Sequence, residues 1–197
     1  MKNALVLRGG GIAGISYVGA LQVWQEYKLN KNWKYIAGTS AGAIIGSLLA
    51  CGASIEWIKN KIVEIDVNNY LDHWNPFNLI RLFWNMGWYS GDKFENWLQD
   101  CFKELTGNPE ITFAQVKSDY DCELIVCVTH CSYPVMKPAY RSVKTTPDMK
   151  LSLAVRQSAG IPGLFAIKKN AVDGGVVDNF PIEYLLYDYA DIKPSDI

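Results

Sequence analysis

Gly38-Thr39-Ser40-Ala41-Gly42 is a G-x-S-x-G pentapeptide. A serine hydroxyl becomes a nucleophile when a sharp turn lifts it clear of the backbone and a neighbouring group takes its proton. The context suits such an elbow. Residues 33–37 (WKYIA) read as a strand, and residues 41–50 form a helix of small and apolar side chains. The start of that helix favours negative charge on the serine oxygen. Gly38 and Gly42 allow neighbouring backbone to come close to the serine. A glycine–serine turn that only caps the helix satisfies the same letters. Gln157-Ser158-Ala159-Gly160 imitates the motif, but it lacks the first glycine and lies at a helix end with no strand before it, so it is set aside.

The usual base is a histidine late in the chain. Only His73 and His130 exist, and neither falls in the last third. A carboxylate is the alternative. Asp173-Gly174-Gly175 follows the apolar pair Ala171-Val172, which puts Asp173 at the end of a short strand facing a turn. An aspartate is a weak base in water, and burial strengthens it. Asp178 is a rival on the same loop, and an Asp-Gly hairpin turn is the bland account of the dipeptide.

The third motif is Gly9-Gly10-Gly11-Ile12-Ala13-Gly14, between a short apolar run (Leu5-Val6-Leu7) and a helical pattern over 15–27. Backbone N–H groups in such a loop bind an anion, either a pyrophosphate or a developing oxyanion. The dinucleotide reading wants an acidic residue at the end of the second strand, and that strand ends at Ala37-Gly38 without one. A glycine-rich turn needed only for strand–helix packing is also consistent with the pattern.

The elements that must hold these residues alternate between strand and helix. Residues 54–67 carry an amphipathic period. Asp92 is placed to cap a helix over 92–105, with Glu95 at the capping-box position. Residues 123–129 are a nearly continuous β-rich run, residues 151–159 a helix stopped by Gly160 and Pro162, and residues 165–172 one or two short strands. This order predicts a three-layer αβα fold with a mainly parallel central sheet. With 197 residues, 49% hydrophobic and 20% charged, the chain supports one domain over 1–197. A net charge of −1 argues against nucleic-acid binding. No apolar stretch approaches the roughly 18 residues of a transmembrane helix. The N-terminus lacks a secretory pattern, and five cysteines suit a reduced intracellular protein.

The glycine loop, the G-x-S-x-G elbow about 30 residues later and the late Asp-Gly-Gly, in that order, resemble the patatin-like phospholipases. Residues 154–162 (AVRQSAGIP) and 176–181 (VVDNFP) resemble the family too. The resemblance implies lipid acyl-ester hydrolysis of phospholipase A or lysophospholipase type through an acyl-enzyme. Ser40 is then the nucleophile and Asp173 the base in a dyad without histidine. Backbone N–H groups of the loop carrying Gly9, Gly10, Gly11 and Gly14 form the oxyanion hole, and no metal or organic cofactor takes part. The chain departs from the family at Ala13, where Arg or Lys is usual; Arg8 is the nearby candidate to replace that charge. It also stops at Ile197, where the family continues with at least one more strand and helix, so a shortened C-terminus is expected.

Residues 70–97 hold nine aromatic side chains, among them Tyr70, Trp74, Phe83, Trp84, Trp88 and Trp97. Such density suits an acyl-chain pocket, a lid or peripheral contact with a membrane, and equally a packed subdomain over the sheet. Cys127, His130 and Cys131 lack a second ligand pair with metal-site spacing. A catalytically silent lipid-binding module and a dinucleotide-binding oxidoreductase are the alternative functions.

Overall fold

The structure, a computed structural model, describes residues 4–27, 33–64, 87–132, 134–189 and 192–197. Its strands are β1 (Ala4–Leu7), β2 (Tyr35–Thr39), β3 (Gly87–Tyr89), β4 (Glu123–Ser132), β5 (Val135–Arg141), β6 (Gly163–Phe165) and β7 (Ala171–Asp173). Its helices are α1 (Ser16–Glu26), α2 (Ala41–Ala50), α3 (Ile55–Val63), α4 (Asp92–Thr106), α5 (Phe113–Tyr120), α6 (Leu151–Ser158) and α7 (Ile182–Asp188). In the main sheet β1, β2 and β4 run parallel, while β5 and β7 pair antiparallel with β4. Strands β3 and β6 form a separate parallel pair.

Successive side chains of a strand point to opposite faces, and the two cores follow that period. Leu7, Ile36, Leu124, Val126 and Val128 enter the larger core, with Val18 and Leu21 of α1, Ile45 and Leu48 of α2, Ile58 of α3 and Phe102 of α4. The alternate residues Ala4, Tyr35, Ala37 and Ile125 face the other way, onto Leu185 of α7, Tyr189 and Ile192. The result is a three-layer α/β fold with one thick helical layer and one thin one. Helix α2 lies deepest, with eight of its ten residues buried, because its all-round small and apolar composition leaves no face for water.

Two local expectations are corrected. Asp92 does not cap α4: it is the first helical residue, and Gly91 is the cap with no side-chain bond. Asp92 and Glu95 instead hold Lys168 Nζ at 2.8 and 3.1 Å, since a nearby ammonium attracts both carboxylates more strongly than a backbone N–H does. A capping box does form at α5, between Thr112 and Gln115. Helix α3, capped by Ser54, ends at Val63, and positions 65–67 lie outside the described residues.

Of the aromatic segment, Tyr70, Trp74, Phe77, Phe83 and Trp84 lie outside the described residues. Trp88, Tyr89, Phe94 and Trp97 are half-buried, and Phe94 stacks on Trp97 and Phe165. All five cysteines are free thiols. Among the described residues no cluster of His, Cys, Asp or Glu is arranged to hold a metal ion, and no helix is long and apolar enough to cross a membrane.

The feature that positions the site is a seam along β4. One edge of this ten-residue strand serves two partners in succession. Thr39, the last residue of β2, pairs with Cys127, and Asp173, the last residue of β7, pairs with Val128. Strand β5 takes the opposite edge. Thus β2 and β7 run toward each other and stop at adjacent positions of the same strand.

A Cβ added to Gly174 at this seam would lie 2.4 Å from the Cys127 carbonyl oxygen and 3.0 Å from Thr39 Cγ2. Gly174→Ala is therefore expected to cost about 1–3 kcal/mol through overpacking. Gly19→Ala, in α1 with open space around its Cβ, is expected to gain about 0.5–1 kcal/mol from helix propensity. Urea midpoints of the two variants, moving in opposite directions from wild type, check this account of the seam.

Candidate active site

Ser40 stands between β2 and α2 with φ 53° and ψ −119°. A non-glycine residue in this left-handed region carries strain of about 1–3 kcal/mol, held in place by its surroundings. The neighbouring glycines permit the turn. A Cβ on Gly38 would meet the Gly42 carbonyl oxygen at 2.5 Å, and one on Gly42 would meet the Leu7 carbonyl oxygen at 2.2 Å. The side chain of Ser40 makes no cap bond to α2. Its hydroxyl donates instead to Asp173 Oδ2 at 2.7 Å.

The other carboxylate oxygen, Oδ1, accepts the Gly175 N–H at 2.7 Å, so Asp173 opens the short 3₁₀ turn Gly174–Val176 and no hairpin forms. Ser40 and Asp173 are each 7% exposed, so most water is excluded while the pair stays open to a small approach. Burial pushes the Asp173 carboxyl above its ordinary 3.8, and the hydrogen bonds from Ser40 and Gly175 pull it back part of the way. A hydroxyl in contact with a carboxylate of raised basicity can lose its proton to that carboxylate as it attacks an electrophile.

The rival acid is engaged elsewhere. Asp178 Oδ2 accepts the Tyr140 hydroxyl at 2.8 Å and Oδ1 accepts the Phe180 N–H at 3.1 Å. Its backbone carbonyl accepts Thr39 Oγ1–H at 3.1 Å, so Asp178 braces the elbow without touching Ser40. No histidine is among the hydrogen-bond partners of Ser40 or Asp173 in the described residues.

Strand β1 ends beside β2, with Leu7 paired to Gly38, and this delivers the glycine loop to the elbow. The loop's residues do not serve alike. Gly9 donates its N–H to the Asn179 carbonyl at 3.0 Å and accepts Asn179 Nδ2–H at 3.2 Å. Gly14 is buried against Ala41, where an added Cβ would fall 2.5 Å from the Ala41 Cβ. Gly10 and Gly11 are exposed at the mouth of the 3₁₀ turn Gly11–Ile15, whose first N–H groups have no partner within the turn. The Gly9 N–H is thus taken by Asn179, whereas Gly10 and Gly11 stand exposed. Arg8 and Ala13 are also exposed, and Arg8 offers its carbonyl to the Tyr17 hydroxyl at 2.7 Å.

The sequence profile described as Patatin-like phospholipase matches residues 5–186. This chain belongs to the patatin-like phospholipase family. YqhO of Bacillus subtilis (strain 168), an uncharacterized protein, is 32% identical over 192 residues, covering 90% of this chain and 64% of YqhO. The probable lipid hydrolase 463L of Invertebrate iridescent virus 6 is 32% identical over 195 residues, covering 92% of this chain and 62% of that protein. The crystal structure of VipD from Legionella pneumophila superposes with a TM-score of 0.65 at 21% identity, over 90% of this chain and 46% of VipD, a likeness of fold. The chain thus spans less than two thirds of each of these proteins.

Two residues of this patatin-like site carried no weight as chemistry in the sequence. Asn179 holds both the N–H and the carbonyl of Gly9. Ser158, set aside above for want of a preceding strand, accepts the Ser40 N–H at 2.9 Å. A polar residue in a segment of family-like sequence next to Asp173 or α6 was the available signal in both cases.

The raised carboxyl fixes a sign. An aspartate whose folded-state pKa exceeds its unfolded value favours folding most at low pH, and that advantage is lost as pH rises through the two values. Asp173→Asn keeps the shape and removes the charge. Its thermal midpoint is expected at or above that of wild type at pH 7–8, with the difference closing near pH 3. A midpoint below wild type at pH 7.5 in calorimetry contradicts the assignment of burial as the dominant influence.

Proposed function

We propose that this chain is a serine acyl hydrolase for lipid esters, with Ser40 as nucleophile and Asp173 as general base. The observation that carries the reading is the 2.7 Å hydrogen bond from Ser40 Oγ to Asp173 Oδ2 within a strained elbow. Family membership and the lipid-hydrolase name of the viral relative support a fatty-acyl ester as the substrate class.

In the acylation half, Ser40 Oγ attacks the ester carbonyl carbon while its proton passes to Asp173. The carbonyl oxygen becomes an oxyanion, which the Gly10 and Gly11 N–H groups stabilise; such donors contribute a factor of about 10²–10³ each. Collapse of the tetrahedral species breaks the ester bond, and Asp173 returns the proton to the leaving alcohol. In the deacylation half, water attacks the acyl-serine, Asp173 accepts its proton, and the fatty acid departs as Ser40 Oγ takes that proton back. One acid–base group serves both halves, so a second titrating partner is unnecessary.

The test is intact-mass analysis after a fluorophosphonate probe, together with release of fatty acid from phospholipid and lysophospholipid vesicles. One adduct is expected on wild type and none on Ser40→Ala. Asp173→Asn is expected to label and turn over slower by about 10³–10⁴. Because the base must be ionised, kcat/KM falls as pH drops through the Asp173 value, with its acid limb above 3.8. A folded wild type that neither labels nor hydrolyses any lipid ester rejects the hydrolase reading.

A further inference from the structure

The end of α6 grips both members of the pair. Ser158 Oγ accepts the Ser40 N–H at 2.9 Å and donates its own proton to the Cys127 carbonyl at 2.5 Å. Two residues on, the Gly160 carbonyl accepts the Asp173 N–H at 2.9 Å. Ser158 is fully buried, and Cys127 is the β4 residue that pairs with Thr39 at the seam. A buried N–H turned out of the sheet by a positive φ still requires an acceptor. Here the acceptor is a hydroxyl spliced between the elbow's N–H and the central strand's carbonyl.

We propose that Ser158 is a positioning residue for the nucleophile. Its hydroxyl holds the Ser40 peptide at the angle that aims Oγ along the Asp173 carboxylate. This inference rests on the Ser40–Asp173 reading and deepens it, since Ser158 bonds the Ser40 N–H while the Ser40 hydroxyl bonds Asp173. Ser158 is suited to the role because it can accept and donate at once. Alanine can do neither. Glycine leaves a space close to the size of one water, which can bridge the same two groups.

The experiment compares Ser158→Ala and Ser158→Gly with wild type. Ser158→Ala is expected to lower kcat and the probe-labelling rate about 100-fold, the scale of a sub-ångström to ångström misplacement, with KM unchanged. Ser158→Gly is expected to regain at least a factor of ten over Ser158→Ala. If Ser158 matters only for packing, the order reverses, because glycine leaves the larger void and weakens the helix. The third readout is the Ser40 amide in ¹⁵N–¹H spectra, with protection from exchange expected in wild type, lost in Ser158→Ala and partly restored in Ser158→Gly. Wild-type rates in a folded Ser158→Ala, Ser158→Gly no better than Ser158→Ala, or an unchanged Ser40 amide overturns the proposal. An inactive wild type whose Ser40 amide still responds in this order rejects the hydrolase reading, and with it the aiming of a nucleophile, while the hold of Ser158 on the Ser40 peptide stands.

Discussion

The hydrogen-bond ladder along one edge of β4 sets the distance between Ser40 and Asp173. Parallel pairing brings β2 to a stop opposite Cys127, and antiparallel pairing brings β7 to a stop opposite Val128. A slip of one residue in either register would turn every inward side chain of that strand outward. The two cores forbid such a slip, because Ile36 and Ala37 are buried on opposite faces. Hydrophobic burial on both sides of the sheet therefore determines a polar contact at its end. The serine–acid distance is a by-product of packing, which explains how a strained backbone at Ser40 is tolerated.

Asp173 and Asp178 sit five residues apart and have opposite fates. Asp173 lies at the buried seam with one N–H and one hydroxyl for company, and burial raises its proton affinity. Asp178 spends its oxygens on Tyr140 and the Phe180 N–H, and burial, together with that contact, pushes the Tyr140 phenol's pKa up. Each aspartate follows an apolar pair, Ala171-Val172 and Val176-Val177. Environment separates the carboxylate that accepts the Ser40 hydroxyl from the residue that braces the elbow.

Much of this was legible in the residues. The continuous apolar runs marked β1, β2, the first part of β4 and α2, and the three glycine-containing motifs marked the ends of the strands that meet. What stayed hidden depends on pairing across the sheet. Strand β5 is mostly exposed, and Lys137 and Pro138 interrupt its apolar residues, so it shows no alternating period and forms as the hairpin partner of β4. The last three residues of β4 are strand for the same reason. Lys168 overrides a good capping pattern at Asp92 and Glu95 from 76 and 73 positions away. Ser158 reads as a failed copy of the serine motif because its function comes through Cys127, on another element. Local propensity describes segments, and the seam is a relation between three of them.

Ser40 and Asp173 are separated by 133 positions, roughly two thirds of the chain. The elbow and its helix are made first, and the acceptor for the serine proton follows 133 positions later. The entropy of closing so long a loop rises only slowly with its length, but contacts of this range form late. A partly synthesised or C-terminally clipped chain carries the hydroxyl without its partner. The serine–acid contact thus arrives together with the pairing of β7 to β4, and the rate at which it forms during refolding is a clock for the docking of that strand.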